Sequence, residues 1–220
     1  MTWISDVPAW TAQYLPALLR GLGYTVIAVV ISGIVGSLVG MVLGLAATSP
    51  LPPARWISNI YTSIIRGIPP LIILFFMFFA LPILFPLLTF SPAFTAILGL
   101  SIYAAAYVGE IFRGSINAIP QGQSEAAEAL GMGYFVKFRY VIVPQAMRIV
   151  LPSGMGFLIS LVKASALASA IQYAELTKEA NIISTINNQP LVVFLVAAAL
   201  YFVISYPMAL LGRWWERKLA

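Results

Sequence analysis

The sequence predicts an all-α integral membrane protein with about five transmembrane helices, the N-terminus outside and the C-terminus in the cytoplasm. Three observations predict it. Of 220 residues, 61% are hydrophobic and only 9% are charged, whereas a soluble domain carries roughly 25% charged residues. The charge-free runs are long: there is no charged residue between Arg20 and Arg55, and 43 uncharged residues separate Arg66 from Glu110. The basic residues also fall on one side when the spans alternate. With no Cys and no His, a disulfide scaffold and a zinc module are excluded, and the commonest general base and metal ligand are missing. No catalytic residue, metal site or resident cofactor is expected. The net charge of +5 reads as cytoplasmic loop charge, not as nucleic-acid binding.

The whole chain, residues 1–220, is expected to form one transmembrane domain. A helix needs about 20 apolar residues to cross the ~30 Å hydrocarbon layer. Residues 22–47 supply the first span. The next uncharged run is too long for one helix, and Pro82, Pro86 and Pro92 cluster in its middle. Because proline breaks helices, two spans are expected there, at 64–81 and 93–109. The fourth covers 149–173 and the fifth 191–211. The fifth has twelve Leu, Ile, Val or Phe residues, a gross insertion gain of roughly 4 to 7 kcal/mol. The fourth has ten but carries Lys163, which costs roughly 3 kcal/mol near the centre. That helix is marginal alone and is expected to face protein or a watery cavity.

Arg55, Arg113, Lys137, Arg139, Arg148, Arg213, Arg217 and Lys218 fall on one side of this scheme, against Arg20 and Lys178 on the other. The first group marks the cytoplasm. No cleavable signal peptide is expected, because no charged n-region precedes Arg20. Gly36, Gly40 and Gly44 share one face of the first span, and small residues let helix backbones approach closely in lipid. Packing inside the chain and association of subunits both fit, with packing favoured.

The one sizeable polar segment is the loop at 114–144. Within it, Ser124 to Leu130 holds strong helix formers behind a Ser N-cap, with Glu125 and Glu128 suited to the helix dipole. It reads either as a surface helix linking two spans or as a docking knob whose small side chains let a partner's cleft close around it.

Glu125-Ala126-Ala127, three residues, Gly131, nine residues, then Val141-Ile142-Val143-Pro144 resembles the EAA loop, E-A-A-x3-G-x9-I-x-L-P, of ABC-importer membrane subunits. The likeness runs along the chain. Arg66-Gly67-Ile68-Pro69 is similar to the R-G-T-P of polar amino-acid permeases, and Tyr107 to Gly114 to their Y-x-x-E-x-x-R-G. Pro120-Gln121-Gly122-Gln123, the run from Arg139 to Pro152, and Leu161 to Leu167 resemble further family segments. Ala164 and Ala166 stand where Asp and Ser are frequent.

The resemblance implies a membrane subunit of an ATP-driven importer of polar amino acids in the bacterial inner membrane. It implies pairing with a second permease subunit, identical or related, and two cytoplasmic ATPase subunits bound to the EAA loops. An extracytoplasmic binding protein delivers the amino acid. Glu125, Ala126, Ala127, Glu128, Leu130, Gly131 and Pro144 would form the ATPase-coupling element. ATP and Mg2+ belong to the partner, since no phosphate-binding G-x-x-x-x-G-K-[ST] occurs here.

Lys163, Ser165, Ser169, Arg66 and Glu110 are the candidate pathway residues. Lys163 lies 15 residues beyond Arg148, about 22 Å along a helix, unless it snorkels outward. Ser165 and Ser169, four apart, would share a face one turn from it. Arg66 is deep if a helix runs unbroken from Arg55, and interfacial if that stretch is a surface elbow. Glu110 and Arg113 are spaced for an ion pair, a structural reading favoured over a pathway one. Two deep cations with no deep acid suit a substrate whose carboxylate Lys163 holds, zwitterionic or acidic, such as glutamine, glutamate or aspartate. An ion-coupled secondary carrier or channel is the alternative, though it would use intramembrane acids.

Overall fold

The computed structural model describes the backbone of residues 7–219 and the side chains of 13–218; residues 1–6 and 220 of the expected domain lie outside the described residues. Among the described residues every regular element is helical. Apart from a 3-10 turn at Pro86–Leu88, these are in chain order α1 (Val7–Ala47), α2 (Pro52–Gly67), α3 (Pro70–Leu84), α4 (Pro92–Asn117), α5 (Gln121–Ala129), α6 (Tyr134–Ile171), α7 (Leu176–Asn187) and α8 (Pro190–Leu219). Of these, α1, α4, α6 and α8 are long and apolar enough to cross a membrane, and α2 with α3 makes a fifth if taken as one broken span.

Three expected boundaries need correction, and one element is new. The first helix begins well before residue 22; its charged Arg20 is accommodated by Glu179, 4.0 Å away. The expected 64–81 span is interrupted at Ile68, whose backbone is extended (φ −105°, ψ 131°) ahead of Pro69, as a residue before proline prefers. The expected loop at 114–144 is mostly helix, because α4 runs to Asn117 and α6 starts at Tyr134. Finally, α7 stands where no element was expected.

The chain divides into two compact units. Among the described residues, the first comprises 7–32, 70–100 and 160–207. Its core joins Leu18 of α1, Leu176, Ala180 and Ile183 of α7, and Val193 and Ala197 of α8. Beside them sits a polar knot. Glu175, fully buried, caps α7 by accepting from the N–H groups of Thr177 (2.9 Å) and Lys178 (2.8 Å) and from the Tyr201 hydroxyl (2.7 Å). Leu176 N–H donates to the buried Thr25 hydroxyl at 3.1 Å. Burial raises the Glu175 carboxyl above the usual carboxylate range, with its hydrogen bonds opposing that shift.

The second unit comprises residues 33–69, 101–159 and 208–219. Here the Gly36, Gly40, Gly44 face of α1 lies directly on α4. A Cβ on Gly40 would sit 2.8 Å from the Ala105 carbonyl and 2.9 Å from the Gly109 nitrogen. On Gly36 and Gly44 it would strike the Cβ atoms of Ala104 and Phe112. The glycines serve packing inside the chain.

Within the same unit α2 is inside-out. Its buried positions are Ser58 and Thr62, the first donating to the Leu43 carbonyl at 2.7 Å. Its exposed face carries Trp56, Ile57, Ile60 and Ile64. In water that arrangement would be unfavourable; a helix lying in the lipid interface requires it.

Candidate functional site

The segment between α4 and α6 carries the motif. Pro120, at φ −55° and ψ 135°, precedes the first turn of α5, so the helix starts at Gln121 and not at Ser124. The expected Ser N-cap is therefore inside the helix, and its hydroxyl accepts from Lys137 Nζ at 2.7 Å. Neither Glu125 nor Glu128 lies in the first turn. Lys137 also pairs with Glu128, and its hydrogen bond, then its charge, hold the exposed Glu128 carboxyl below the usual range.

At the other end Gly131 adopts φ +75°. Its N–H donates to the Glu128 carbonyl at 2.9 Å, and Met132 N–H donates to the Ala127 carbonyl at 3.0 Å. This paired closure is a Schellman turn, whose left-handed residue is ordinarily glycine. Nothing lies within 4 Å of where a Gly131 Cβ would be, so inside this chain the requirement is conformational and not steric. Leu130 is 78% exposed and Ala126 is exposed, while Ala127 is buried against the chain itself. Pro144 lies inside α6, immediately after a π-helical turn at Phe138–Ile142.

A charge cluster occupies the junction of α2 and α4. Arg113 grips Glu110 with both guanidinium arms, Nε at 3.0 Å from Oε2 and Nη2 on Oε1. Arg66, at the end of α2, brings Nη1 to 3.4 Å from the same Oε1 and lies 5.5 Å from the Tyr107 ring centroid. Tyr107 in turn stacks on Phe157 at 5.4 Å. Two arginines on one carboxylate leave a single net positive charge. The expected Glu110–Arg113 spacing thus closes as a pair; the third member was not foreseen, because the break at Ile68 decides where Arg66 points. Arg66 sits at the end of an amphipathic elbow rather than deep on an unbroken helix.

The remaining candidates belong to the first unit. Lys163 is exposed and makes no hydrogen bond or ion pair among the described residues. Ser165 is fully buried and donates to the Val162 carbonyl at 2.7 Å; Ser169 donates to Ala166 at 2.7 Å. Each hydroxyl bonds its own helix, and the two do not share one face as expected. The reason is local: Ala166–Ile171 is a 3-10 helix, in which residues three apart align and residues four apart do not. Glu175 was missed. Its signal was the N-cap position ahead of Leu176, Ala180 and Ile183, a four-then-three apolar spacing.

The family described as "Binding-protein-dependent transport system inner membrane component" matches residues 36–220. The chain is 36% identical over 208 residues to the probable amino-acid ABC transporter permease protein YckA of Bacillus subtilis, covering 94% of this chain and 91% of that protein. It is 36% identical over 211 residues to the arginine transport system permease protein ArtQ of the same organism, covering 95% of each. Among solved structures, an amino acid ABC transporter crystallised with histidines matches with a TM-score of 0.89 at 32% identity, over 94% of this chain and 96% of that one. The MetNI methionine ABC transporter shares the fold, with a TM-score of 0.79 at 23% identity, over 93% and 96%. The match along most of the chain, with the motif on a closed helix between two spans, places it: the chain belongs to the family of inner membrane components of binding-protein-dependent transport systems.

Proposed function

We propose that this chain is the permease subunit of an ATP-driven importer of polar amino acids. It lines the translocation pathway together with a second permease subunit, its N-terminus outside and its C-terminus in the cytoplasm. The single observation that carries the reading is α5: a short helix closed by the Gly131 turn, presenting Ala126 and Leu130 outward. Such a knob suits the cleft of an ATPase subunit, which binds ATP and Mg2+ and supplies the energy. YckA, ArtQ and the L-cystine permease TcyB of Bacillus subtilis carry the amino-acid assignment by likeness. An extracytoplasmic binding protein delivers the substrate, whose carboxylate is held by Lys163. No observation favours an ion-coupled carrier; the buried Glu175 lies outside the candidate spans and is spent on capping α7.

The test is co-expression with the ATPase and binding protein, then uptake into reconstituted vesicles. Leu130→Asp should abolish co-isolation of the ATPase, and Gly131→Ala should weaken coupling by about 1–2 kcal/mol of left-handed strain. Uptake by this chain alone, driven by a proton gradient, would overturn the importer reading. Preferred arginine uptake, undiminished in Lys163→Ala, would overturn the substrate assignment alone.

A further inference from the structure

Two neighbouring concavities in the second unit differ in character. One, of about 460 Å3, has a polar lining that includes Arg55, Asn117, Gln121, Ser124 and Lys137. The other, of about 640 Å3, is apolar and is lined by Leu45, Pro50, Leu51 and Phe135. Tyr134 and Phe138 line both, so the two meet. Each falls within the ~300–1,000 Å3 range of small-molecule sites.

The charges in the polar concavity are both cationic. Arg55 is exposed and makes no ion pair among the described residues. Lys137 shares its ammonium with Ser124 and Glu128. Glu128 does not line the concavity, so a second anion can approach Lys137 from within it. Gln121, the first residue of α5, also lines it, and no side chain caps that helix. A cationic chamber opening onto an aromatic and aliphatic groove matches a molecule with an anionic head and an apolar tail. Its surroundings supply such molecules. Arg55 lies on α2, whose exposed Trp56, Ile57 and Ile60 belong in the lipid interface, on the side that the basic residues assign to the cytoplasm. Basic recesses at that face suit acidic lipid headgroups.

We infer that these paired concavities form a binding site for one anionic phospholipid, its phosphate held by Arg55 and Lys137 and an acyl chain laid along Leu51 and Phe135. The site is independent of the amino acid carried. It ties the position of the elbow helix to the lipid composition around it.

Native mass spectrometry of the purified full chain tests this, with dioleoyl phosphatidylglycerol, dioleoyl phosphatidylcholine and sodium phosphate as probes. Phosphatidylglycerol should be retained over phosphatidylcholine by about fivefold or more, the equivalent of one basic contact. Arg55→Gln should remove that preference and Arg55→Lys should keep it. Both changes are on an exposed side chain, and a matching melting temperature confirms the fold. Phe135→Ser should weaken retention of phosphatidylglycerol. Equal retention of the two lipids, or a preference unaltered in Arg55→Gln, would overturn the inference. Displacement of phosphatidylglycerol by equimolar sodium phosphate would reduce the site to an anion pocket. Displacement by an added ATPase subunit would assign the chamber to a protein interface; either result refutes lipid binding.

Discussion

Past residue 33, α1 rests on α4 through the faces of Gly36, Gly40 and Gly44, with backbone against backbone. Before residue 26 the same helix meets α7 through the Thr25 hydroxyl, beside the buried Glu175 carboxylate and the Tyr201 phenol. Each contact solves the same problem. Lipid tails are as apolar as the side chains, so no hydrophobic effect drives helices together there. The glycine contact answers with close van der Waals fit and has no room for added volume. The polar knot answers with matched donors and acceptors, so it suffers from the loss of one, and its strength follows the protonation of Glu175. The two contacts should therefore fail under different challenges.

The largest effect is expected from added volume. Gly40→Leu should cost about 3 kcal/mol or prevent folding, because the new side chain meets α4 backbone that cannot yield. Gly23→Leu on the same helix should be near neutral, since nothing lies within 4 Å of that position. Melting temperatures of the purified proteins decide it; equal losses would mean that added bulk anywhere on α1, not the contact with α4, sets the cost.

Next comes Glu175→Ala, which leaves two backbone N–H groups and a phenol without their acceptor and should cost about 2 kcal/mol. Here pH separates the two contacts. The folded carboxyl is raised above its unfolded value, so the folded state binds the proton more tightly. Stability should rise as pH falls from the raised value toward the ordinary one near 4.5, and decline as pH rises again. Glu175→Gln should flatten that dependence, whereas Gly40 variants should keep it. A melting profile unaltered in Glu175→Gln would show that other groups set the pH response.

The smallest effect belongs to Thr25→Val, near in volume but without the hydroxyl. It removes the acceptor for Leu176 N–H and should cost about 1 kcal/mol. A neutral result would mean that water replaces the hydroxyl and that the knot rests on Glu175 and Tyr201 alone.

The glycine face was legible in the sequence because one periodicity carries it. So was the EAA segment, whose spacing survives wherever its helix begins. The start of α5 was misplaced because Ser124 looks like a cap on its own, and only the fold brings Lys137 to its hydroxyl. The knot was hidden for a related reason: Thr25 and Leu176 are 151 residues apart, and no local pattern joins them. Arg66 was ambiguous until the break at Ile68 set the direction of α2. The inside-out elbow shows why burial rules made for water mislead here, since apolar residues mark its outer face.

Two wide turns occur in the same setting. In α3, Phe76–Ala80 is π-helical and the Leu81 N–H donates back to Phe76, just before Pro82. In α6, Phe138–Ile142 is π-helical and the Val143 N–H donates back to Phe138, just before Pro144. Proline has no N–H, and its ring crowds the carbonyl four residues earlier; widening the preceding turn relieves that crowding. A wide turn amounts to one extra residue in the winding. Handing the Val143 N–H from Phe138 to Arg139 would rotate everything beyond it by about 100° and shift it by about 1.5 Å, with the rod uncut. At two prolines the chain thus keeps a continuous helix by storing one extra residue in its winding.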